Sequence, residues 1–255
     1  MEGTTKNKFL VIGDSCYDIY VYCTTERFCP DAPVPVLNPI KTVSSLGMAG
    51  NVVDNLKGLE ASVDFITNKE LIKKIRYVDD RTNHMFIRVD EGESNIERIS
   101  KSTLENINWG DYLAVIVSDY CKGFLLEEDL KYISQNHPLT FLDTKKQLNG
   151  FADDFTFIKI NDVEYNKTKS TILPHLEEKI ITTLGSKGAK YKNKIHPVKQ
   201  VDVRDTSGAG DTFIAGLAFS FALGLDIIKA IKFANKCSSQ VVQKKGTAKV
   251  NINEL

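Results

Sequence analysis

The sequence predicts an α/β fold: a doubly wound, mostly parallel β-sheet flanked by helices, with a small β-strand lid. Three observations predict it. Several short runs are continuously apolar and β-branched, as in parallel strands that are buried on both faces. Helical patterns stand between these runs, which is the order of a doubly wound sheet. Two further segments, residues 15–46 and 75–100, interrupt that order with prolines and charges.

The buried strands follow one another from the N-terminus in the form of runs such as "KFLVIGD" and "YLAVIVSDY". They are predicted at 8–14, 63–67, 112–120, 139–144, 155–160 and 179–185. Helical patterns cover 50–59, 126–136, the stretch after Asn161, 208–225 and 226–246. Ligands of such sheets bind beyond the carboxyl ends of the strands. Polar residues directly after each strand are therefore the candidates for a functional site.

The two interrupting segments are predicted to form the lid. "IYVYCTTERF", "APVPVLNPIKTVSSLG" and "IRYVDDRTNHMFIRVDEGESNIERI" resemble twisted antiparallel strands whose edges carry prolines and charges. A flap over the ligand end of the sheet explains them, and an ordinary surface hairpin is the alternative. Because the chain has neither an internal repeat nor a low-complexity linker, we expect residues 1–255 to form a single domain that includes this lid.

Charge and composition exclude several classes of partner. The 33 basic residues balance the 33 acidic ones, so no net field attracts nucleic acid or an anionic membrane. No stretch approaches the roughly 18 apolar residues of a membrane span, and the N-terminus has no signal-peptide core. The five cysteines form no CxxC pair and no Cys/His metal spacing, which favours reduced thiols. We therefore expect a cytoplasmic protein with a small-molecule substrate.

The stretch "VRDTSGAGDTFIAG" (203–216) carries the strongest chemical signal. Gly208, Ala209 and Gly210 open a predicted helix, where small residues let backbone N–H groups approach an anion and the helix dipole favours it. Such a site would stabilise a phosphoryl group in transfer. Asp211 could accept the proton of an attacking hydroxyl. Taken alone, the motif favours another interpretation, in which Asp211 complements the helix dipole and the glycines serve packing.

Other strand ends add to this signal. The turn in "TLGSKGAK" (183–190) suits a phosphate or ribose contact, or is a tight hairpin. Asn161 and Glu164 stand one helical turn apart, as a Mg²⁺–water clamp requires, or form a helix N-cap pair. Asp14 ends the first strand and could bind sugar hydroxyls, or is a turn residue. A Walker loop is absent from the sequence. Several such signals at one end of one sheet indicate phosphoryl transfer.

"DTSGAGDTFIAG" resembles the C-terminal signature of the ribokinase-like (PfkB) carbohydrate kinase family. "VIGD", "GMAGN", "NDVE", "TLGSKGAKY" and "FANKCSSQVVQKKGTAKV" follow in the family's order, so the resemblance covers essentially the whole chain. "VIGDSCYDIYVY", "PDAPVPVL", "SDYCKGFL", "FLDTKK" and "GTAKVNINEL" resemble one branch, the D-glycero-D-manno-heptose 7-phosphate kinases of lipopolysaccharide precursor synthesis. That branch is often fused to a nucleotidyltransferase, which we expect this chain to lack.

The resemblance implies an ATP- and Mg²⁺-dependent kinase that phosphorylates the anomeric hydroxyl of heptose 7-phosphate to give the 1,7-bisphosphate. It implies that Asp211 is the base and that the backbone of Gly208, Ala209 and Gly210 is the anion hole. Asp205 would help to hold a monovalent cation such as K⁺. Asn161 and Glu164 would organise Mg²⁺ and its waters.

The resemblance also implies the residues that bind the two substrates. ATP would be bordered by Thr183, Gly185 and Gly188, with Asn235 and Gly246 near the adenine. Sugar hydroxyls would be bound by Asp14, Gly47 and Asn51, and the phosphate of the acceptor by Arg76, Arg88 and Lys122. The alternative for the arginines is an ordinary solvated position on a β-strand.

Two departures from the family pattern lie beside the predicted sugar site. Thr67 and Lys74 are only a few residues apart, so about 30 residues, the size of a βαβ crossover, are missing there. "GMAGN" replaces the usual "GGAAN", and Met48 would add bulk near the sugar.

Several alternatives stay open at this point. The acceptor could be another sugar, a sugar phosphate or a nucleoside, and the chain could instead be a non-catalytic sugar- or nucleotide-binding regulator. A dinucleotide oxidoreductase is disfavoured, because "SCYD" rather than G-x-G-x-x-G follows "VIGD". Pairing of lid strands between two subunits predicts a homodimer, and closure of the lid would exclude water.

Overall fold

The computed structural model describes residues 8–255, in which twelve strands form two sheets. The larger sheet contains β1 (Lys8–Gly13), β4 (Ser62–Ile66), β7 (Ala114–Asp119), β8 (Thr140–Thr144), β9 (Phe157–Asn161), β10 (Ile180–Thr183), β11 (Ala189–Tyr191) and β12 (Lys194–His196). Their order in space is β12-β11-β10-β9-β8-β7-β1-β4. All pairs from β4 to β10 are parallel, whereas the pairs β10–β11 and β11–β12 are antiparallel. The prediction of a mostly parallel sheet is confirmed.

Six helices accompany these strands within the described residues. They are α1 (Ala49–Gly58), α2 (Lys101–Glu105), α3 (Glu127–Asn136), α4 (Asp162–Thr168), α5 (Ala209–Ala222) and α6 (Ile227–Val241). The predicted bounds 208–225 and 226–246 were too long, because α5 stops before Gly224, which has φ +99°, and α6 stops five residues before Gly246. Helix α2 was not predicted, since five residues with one buried leucine carry no periodic signal.

Alternating side chains of the strands divide the core between the two faces of the large sheet. On β1, Phe9 and Val11 pack against residues of α1, α5 and α6, whereas Leu10 and Ile12 pack against residues of α3. All four side chains are fully buried. Two covered faces explain why the strands are continuously apolar rather than alternating.

The second sheet is formed by β2 (Ser15–Phe28), β3 (Pro35–Met48), β5 (Lys73–Asp79) and β6 (Met85–Glu91), and we call it the lid sheet. Its order is β3-β2-β5-β6. Strands β2 and β5 are parallel, which corrects the expectation of antiparallel strands throughout, because α1 and β4 lie between them in the chain and act as a crossover. Residues 92–100 form no strand, although the prediction included them, since Gly92 ends β6 with φ +75°.

The connection between Thr67 and Lys74, which was predicted to be short, leaves β4 at the edge of the large sheet. A few polar side chains hold the short connection in place. The Asn68 side chain accepts a hydrogen bond from the Ser15 N–H at 2.7 Å, and the Thr67 hydroxyl bonds to the Ser15 hydroxyl at 2.8 Å. Met48 precedes α1 with φ +59°, and its buried side chain packs with Cys16 and Ile72. No helix within residues 8–255 is long and apolar enough to cross a membrane.

Candidate active site

Asp211 lies in the first turn of α5, at the carboxyl end of the large sheet, and is 3% exposed. Its Oδ2 accepts a hydrogen bond from the Asn51 amide at 3.0 Å, and its Oδ1 accepts one from the Tyr120 hydroxyl at 2.7 Å. The N-cap position is Gly208, where no side chain caps the helix. The carboxylate is therefore held by α1 and by the loop after β7, and not by a capping interaction.

The surroundings of Asp211 raise its pKa to about 6. Burial of the carboxylate is the largest cause, and the charge of Asp143 adds to it. The hydrogen bonds from Asn51 and Tyr120 act in the opposite direction, because they favour the ionised form. A carboxylate of this pKa is mostly ionised at neutral pH and still basic enough to take a proton from a hydroxyl.

Two glycines allow polar groups to approach the start of α5. Gly208 has φ +77°, and a Cβ there would lie 2.3 Å from Nδ2 of Asn51. A Cβ on Gly210 would lie 2.7 Å from Nζ of Lys159, whose ammonium pairs with the buried Asp143 at 2.7 Å. The ammonium of Lys159 and the backbone N–H groups of the helix start thus lie next to each other. This arrangement favours an anion.

A cavity of about 430 Å³ adjoins the helix start, within the size range of cofactor and small-ligand sites. Four of the five residues that were predicted to border ATP line it, namely Thr183, Gly185, Gly188 and Asn235. Val201, Val203, Phe213 and Val242 add apolar walls. The Asn235 amide is engaged, because it donates to the carbonyl of His196 at 3.0 Å. The fifth residue, Gly246, does not line the cavity, and its N–H donates to Asp205 at 3.1 Å.

The glycine-rich turn in this cavity is a hairpin, the alternative that the sequence left open. Strands β10 and β11 pair antiparallel on either side of it. Gly188 has φ +92°, and a Cβ there would meet the His196 carbonyl at 2.2 Å. Gly185, in contrast, has open space where its Cβ would be. A hairpin and a ligand contact are therefore compatible in this turn.

Asn161 and Glu164 form an N-cap pair at the start of α4, as one of the two alternatives predicted. Each accepts a hydrogen bond from the other's backbone N–H at 2.8 Å, and Glu164 also pairs with Lys145. Their role toward Mg²⁺ stays a prediction. Mg²⁺ usually binds through one or two carboxylates together with waters and substrate phosphates. Two carboxylates near the Lys145 ammonium fit such a site: Glu164, and Asp143, whose buried Oδ1 accepts no hydrogen bond within the described residues.

Asp205 lies in the loop before α5 and is surrounded by donors. Its carboxylate accepts hydrogen bonds from the N–H of Ser207 at 2.8 Å, the N–H of Gly246 at 3.1 Å and the Tyr20 hydroxyl at 3.4 Å. These three donors satisfy the carboxylate without a cation. A monovalent cation at this residue stays a prediction.

Two of the three residues predicted to bind sugar hydroxyls, Asp14 and Asn51, lie around Tyr120 and its partner Asp211. Asp14, fully buried at the end of β1, accepts a hydrogen bond from the Tyr120 N–H at 2.7 Å. Its other oxygen has no hydrogen-bond partner among residues 8–255. The Asn51 amide and the Tyr120 hydroxyl both donate hydrogen bonds to the carboxylate of Asp211. Gly47, near the end of β3, makes room for the Asp18 side chain, because a Cβ on residue 47 would lie 2.3 Å from Oδ2 of Asp18.

The three cations that were predicted to bind the acceptor's phosphate all have carboxylate partners. Arg76 pairs with Asp18, Arg88 with Asp90 and Lys122 with Glu93, each at 2.5 Å. The pair of Arg76 and Asp18 is buried beneath the lid sheet, and Arg76 also stacks on the Tyr20 ring. Phosphate binding by any of the three would compete with an existing ion pair, and it stays a prediction.

Sequence reasoning missed four residues of this site. They are Asp18, Tyr120, Asp143 and Lys159. Tyr120 directly follows β7 and Asp143 stands near the end of β8, so the rule that identified Asp14 could have found both. A lysine inside the apolar run "FTFIKI" was a signal for Lys159. Asp18 lies within a lid strand and carries no such signal.

Residues 112–254 match the sequence pattern of the pfkB family carbohydrate kinases, and this match contains the glycine bend and Asp211. The chain belongs to the pfkB family. It is an ATP-dependent carbohydrate kinase, as its sequence predicted. This membership supports a kinase over the non-catalytic regulator that the sequence left open.

Curated relatives of this pfkB kinase include two proteins named "Bifunctional protein HldE". The relative from Sulfurimonas denitrificans is 31% identical over 301 residues, which cover 97% of this chain and 63% of the relative. The relative from Campylobacter jejuni is 31% identical over 300 residues, which cover 98% of this chain and 64% of the relative. The chain thus spans less than two thirds of their length. Both aligned spans exceed its 255 residues, so the relatives contain residues within them that this kinase lacks.

Solved structures similar to this pfkB kinase confirm the ribokinase-like fold. Ribokinase from Thermotoga maritima has a TM-score of 0.69 at 16% identity, over 94% of each chain. Ribokinase from Arabidopsis thaliana, complexed with ribose and ATP, has a TM-score of 0.68 at 16% identity, over 95% of each chain. Fructokinase with bound ATP from Xylella fastidiosa has a TM-score of 0.69 at 14% identity, over 98% of this chain and 97% of that one.

Proposed function

We propose that this kinase transfers the γ-phosphoryl group of ATP to the anomeric hydroxyl of D-glycero-D-manno-heptose 7-phosphate. The observation that carries the proposal is the buried carboxylate of Asp211, with a pKa of about 6, between the helix start and the polar cluster around Tyr120. Relatives named HldE, and the resemblance of phrases such as "SDYCKGFL" to heptose 7-phosphate kinases, support this acceptor.

In the proposed reaction, Asp211 is the general base. The acceptor hydroxyl takes a position at Oδ1, where the Tyr120 hydroxyl now donates. Its oxygen forms a bond to the γ-phosphorus, the bond from that phosphorus to the β–γ bridging oxygen breaks, and the hydroxyl proton passes to Asp211. ADP and the 1,7-bisphosphate leave, and Asp211 returns the proton to solvent. A positioned base of this kind contributes about 10²- to 10⁴-fold in rate.

The groups at the start of α5 would stabilise the phosphoryl group in transfer. The backbone N–H groups of Gly208, Ala209 and Gly210 supply fixed dipoles, and the Lys159 ammonium lies beside them. Mg²⁺, when bound, would neutralise the charge that develops on the β- and γ-phosphates, and Asn161 and Glu164 would hold it through water. ATP would occupy the 430 Å³ cavity, whose apolar walls suit a base.

The lid sheet is proposed to close over the acceptor and exclude water. Its strand β2 already reaches the loop before α5, where the Tyr20 hydroxyl lies 3.4 Å from Asp205 and the Tyr20 ring lies near Gly246. Excluding water from a phosphoryl-transfer site suppresses wasteful hydrolysis of ATP.

We also propose a homodimer through the outer face of the lid sheet. Strand register places six apolar residues on that face: Ile19, Val21, Ile75, Tyr77, Ile87 and Val89. A contiguous apolar patch of this kind marks an interaction surface.

Light scattering at about micromolar concentration should give twice the chain mass. Ile87→Asp should give a monomer, whereas Ile195→Asp, at a similarly exposed position on β12, should not. A monomeric wild type would refute the proposal.

Formation of ADP across a panel of sugars, sugar phosphates and nucleosides tests the catalytic proposal. Asp211→Asn keeps the shape of the side chain and removes the base, so turnover should fall about 100-fold or more. Asp111→Asn, at an exposed position, is the matched control and should retain full turnover. Equal turnover by wild type and Asp211→Asn on every acceptor would refute the role of Asp211. Higher kcat/KM for an acceptor other than heptose 7-phosphate would refute the proposed substrate.

A further inference from the structure

Lys74 on β5 differs from the other cations on the site-facing side of the lid sheet. Arg76 and Arg88 each pair with a carboxylate, as does Lys122 beside them. Within residues 8–255, no carboxylate lies at ion-pair distance from the Lys74 ammonium, which instead lies 5.4 Å from the centre of the Tyr120 ring. Lys74 is therefore the cation of this group that forms no ion pair within the described residues.

Strand register explains why the charge of Lys74 is left over. Lys74 stands opposite Asp18 on β2 and Asp90 on β6, so two acids are close at hand. Both are already engaged, Asp18 by Arg76 and Asp90 by Arg88. These four charges form two ion pairs, and Lys74 adds a positive charge that forms no ion pair of its own within residues 8–255.

The position of this charge relative to Asp211 matches an elongated anionic substrate. The Tyr120 ring lies next to the Lys74 ammonium, and its hydroxyl donates to Asp211 at 2.7 Å. One aromatic side chain therefore separates the cation from the base. A sugar whose reacting hydroxyl is at Asp211 would extend toward Lys74 with its opposite end.

We propose that Lys74 binds the phosphate of the acceptor and selects phosphorylated over unphosphorylated sugars. The inference rests on the proposed function and assigns to Lys74 the role that the sequence had given to Arg76, Arg88 and Lys122. An ammonium binds a phosphate as a point charge. Half-burial of Lys74 beneath the lid sheet reduces screening by salt, and no existing ion pair has to break.

Lys74→Met tests this role, since methionine keeps an apolar stem and removes the charge. Lys73→Met is the matched control, because Lys73 is the adjacent residue, faces the other side of β5 and pairs with Glu91 at 3.4 Å. We expect Lys74→Met to raise KM for heptose 7-phosphate about 10- to 100-fold, the value of a charge-assisted hydrogen bond. KM for D-glycero-D-manno-heptose should not change. Lys74→Arg should restore most of the preference, and Lys73→Met should resemble wild type.

Calorimetric titration of heptose 7-phosphate without ATP adds a readout that is independent of turnover. Weaker binding by Lys74→Met, with normal binding by Lys73→Met, supports the inference. This holds even if wild type transfers no phosphoryl group, because that result refutes only the proposed function. If wild type phosphorylates a different sugar phosphate, the same comparison is made with that acceptor and its unphosphorylated sugar. Three results would overturn the role of Lys74. Lys74→Met could change KM equally for the phosphorylated and the unphosphorylated acceptor, or change neither. Wild type could also fail to bind the sugar phosphate.

Discussion

Tyr120→Phe is the substitution that most directly tests how the base is tuned. The Tyr120 hydroxyl donates to Oδ1 of Asp211 at 2.7 Å, and this hydrogen bond favours the ionised carboxylate. Burial and the nearby charge of Asp143 favour the protonated form and already raise the pKa of Asp211 to about 6. Removing the hydroxyl takes away one of the two hydrogen bonds that oppose this rise. The pKa of Asp211 should therefore increase further.

The size of the shift follows from the geometry. A hydrogen bond to a charged group contributes about 1.5–3 kcal/mol. One pKa unit corresponds to about 1.4 kcal/mol, so complete loss of the bond would raise the pKa of Asp211 by about one to two units. The acid limb of kcat/KM, which reports the free enzyme, should move from near pH 6 to between about pH 7 and 8. Above that limb the variant should recover most of its activity, because Asp211 is then ionised.

The assay is kcat/KM for ADP formation between pH 5 and 9, with the preferred acceptor of the panel. Tyr112→Phe is the matched control, since its hydroxyl also donates to an aspartate, Asp64, at 2.7 Å, but on the edge strand β4. The control should keep the wild-type profile. A limb that stays near pH 6 in Tyr120→Phe, or that moves to lower pH, would refute the reasoning about Asp211.

Two further predictions concern the same helix start. Asp211→Asn should raise the free energy of unfolding at pH 7 by about 1–3 kcal/mol, because the native state holds a carboxylate whose pKa has risen from 3.8 to about 6. Urea denaturation should show this gain in stability above about pH 6. The gain should be lost as pH falls below about 4, because the carboxyl is then protonated in both the native and the unfolded state. A gain at pH 3.5 equal to that at pH 7 would contradict the prediction. Gly208→Ala and Gly224→Ala should each cost about 1–2 kcal/mol, since both glycines have positive φ. Only Gly208→Ala should also reduce turnover, by about 10-fold or more, because its Cβ displaces Asn51 from Asp211; equal turnover by the two variants would argue against that role of Asn51.

Local pattern was enough to predict the large sheet and the helix start of the site. Apolar runs of four to eight residues specify buried parallel strands, because both faces of each strand are covered by helices. "GAGD" specifies a helix start with small residues and an acid in its first turn, because helix periodicity and glycine conformation act over a few neighbouring residues. The carboxyl ends of parallel strands meet at one edge, so the sequence also predicted that Asp14, Asn161 and the turn at 183–190 would lie at the same end of the sheet.

Only the tertiary structure decided which of these groups are free to act. Asp18 and Arg76 are 58 residues apart in the chain, and Tyr120 and Asp211 are 91 apart, so no local pattern records either pair. The parallel pairing of β2 with β5 and the antiparallel pairing of β5 with β6 place Asp18 and Asp90 among the cations of the lid sheet. Within residues 8–255, Lys74 is left without an ion pair. A charge becomes available to a ligand only after all its neighbours are known. Those neighbours depend on strand register and chain topology, which composition and spacing do not contain.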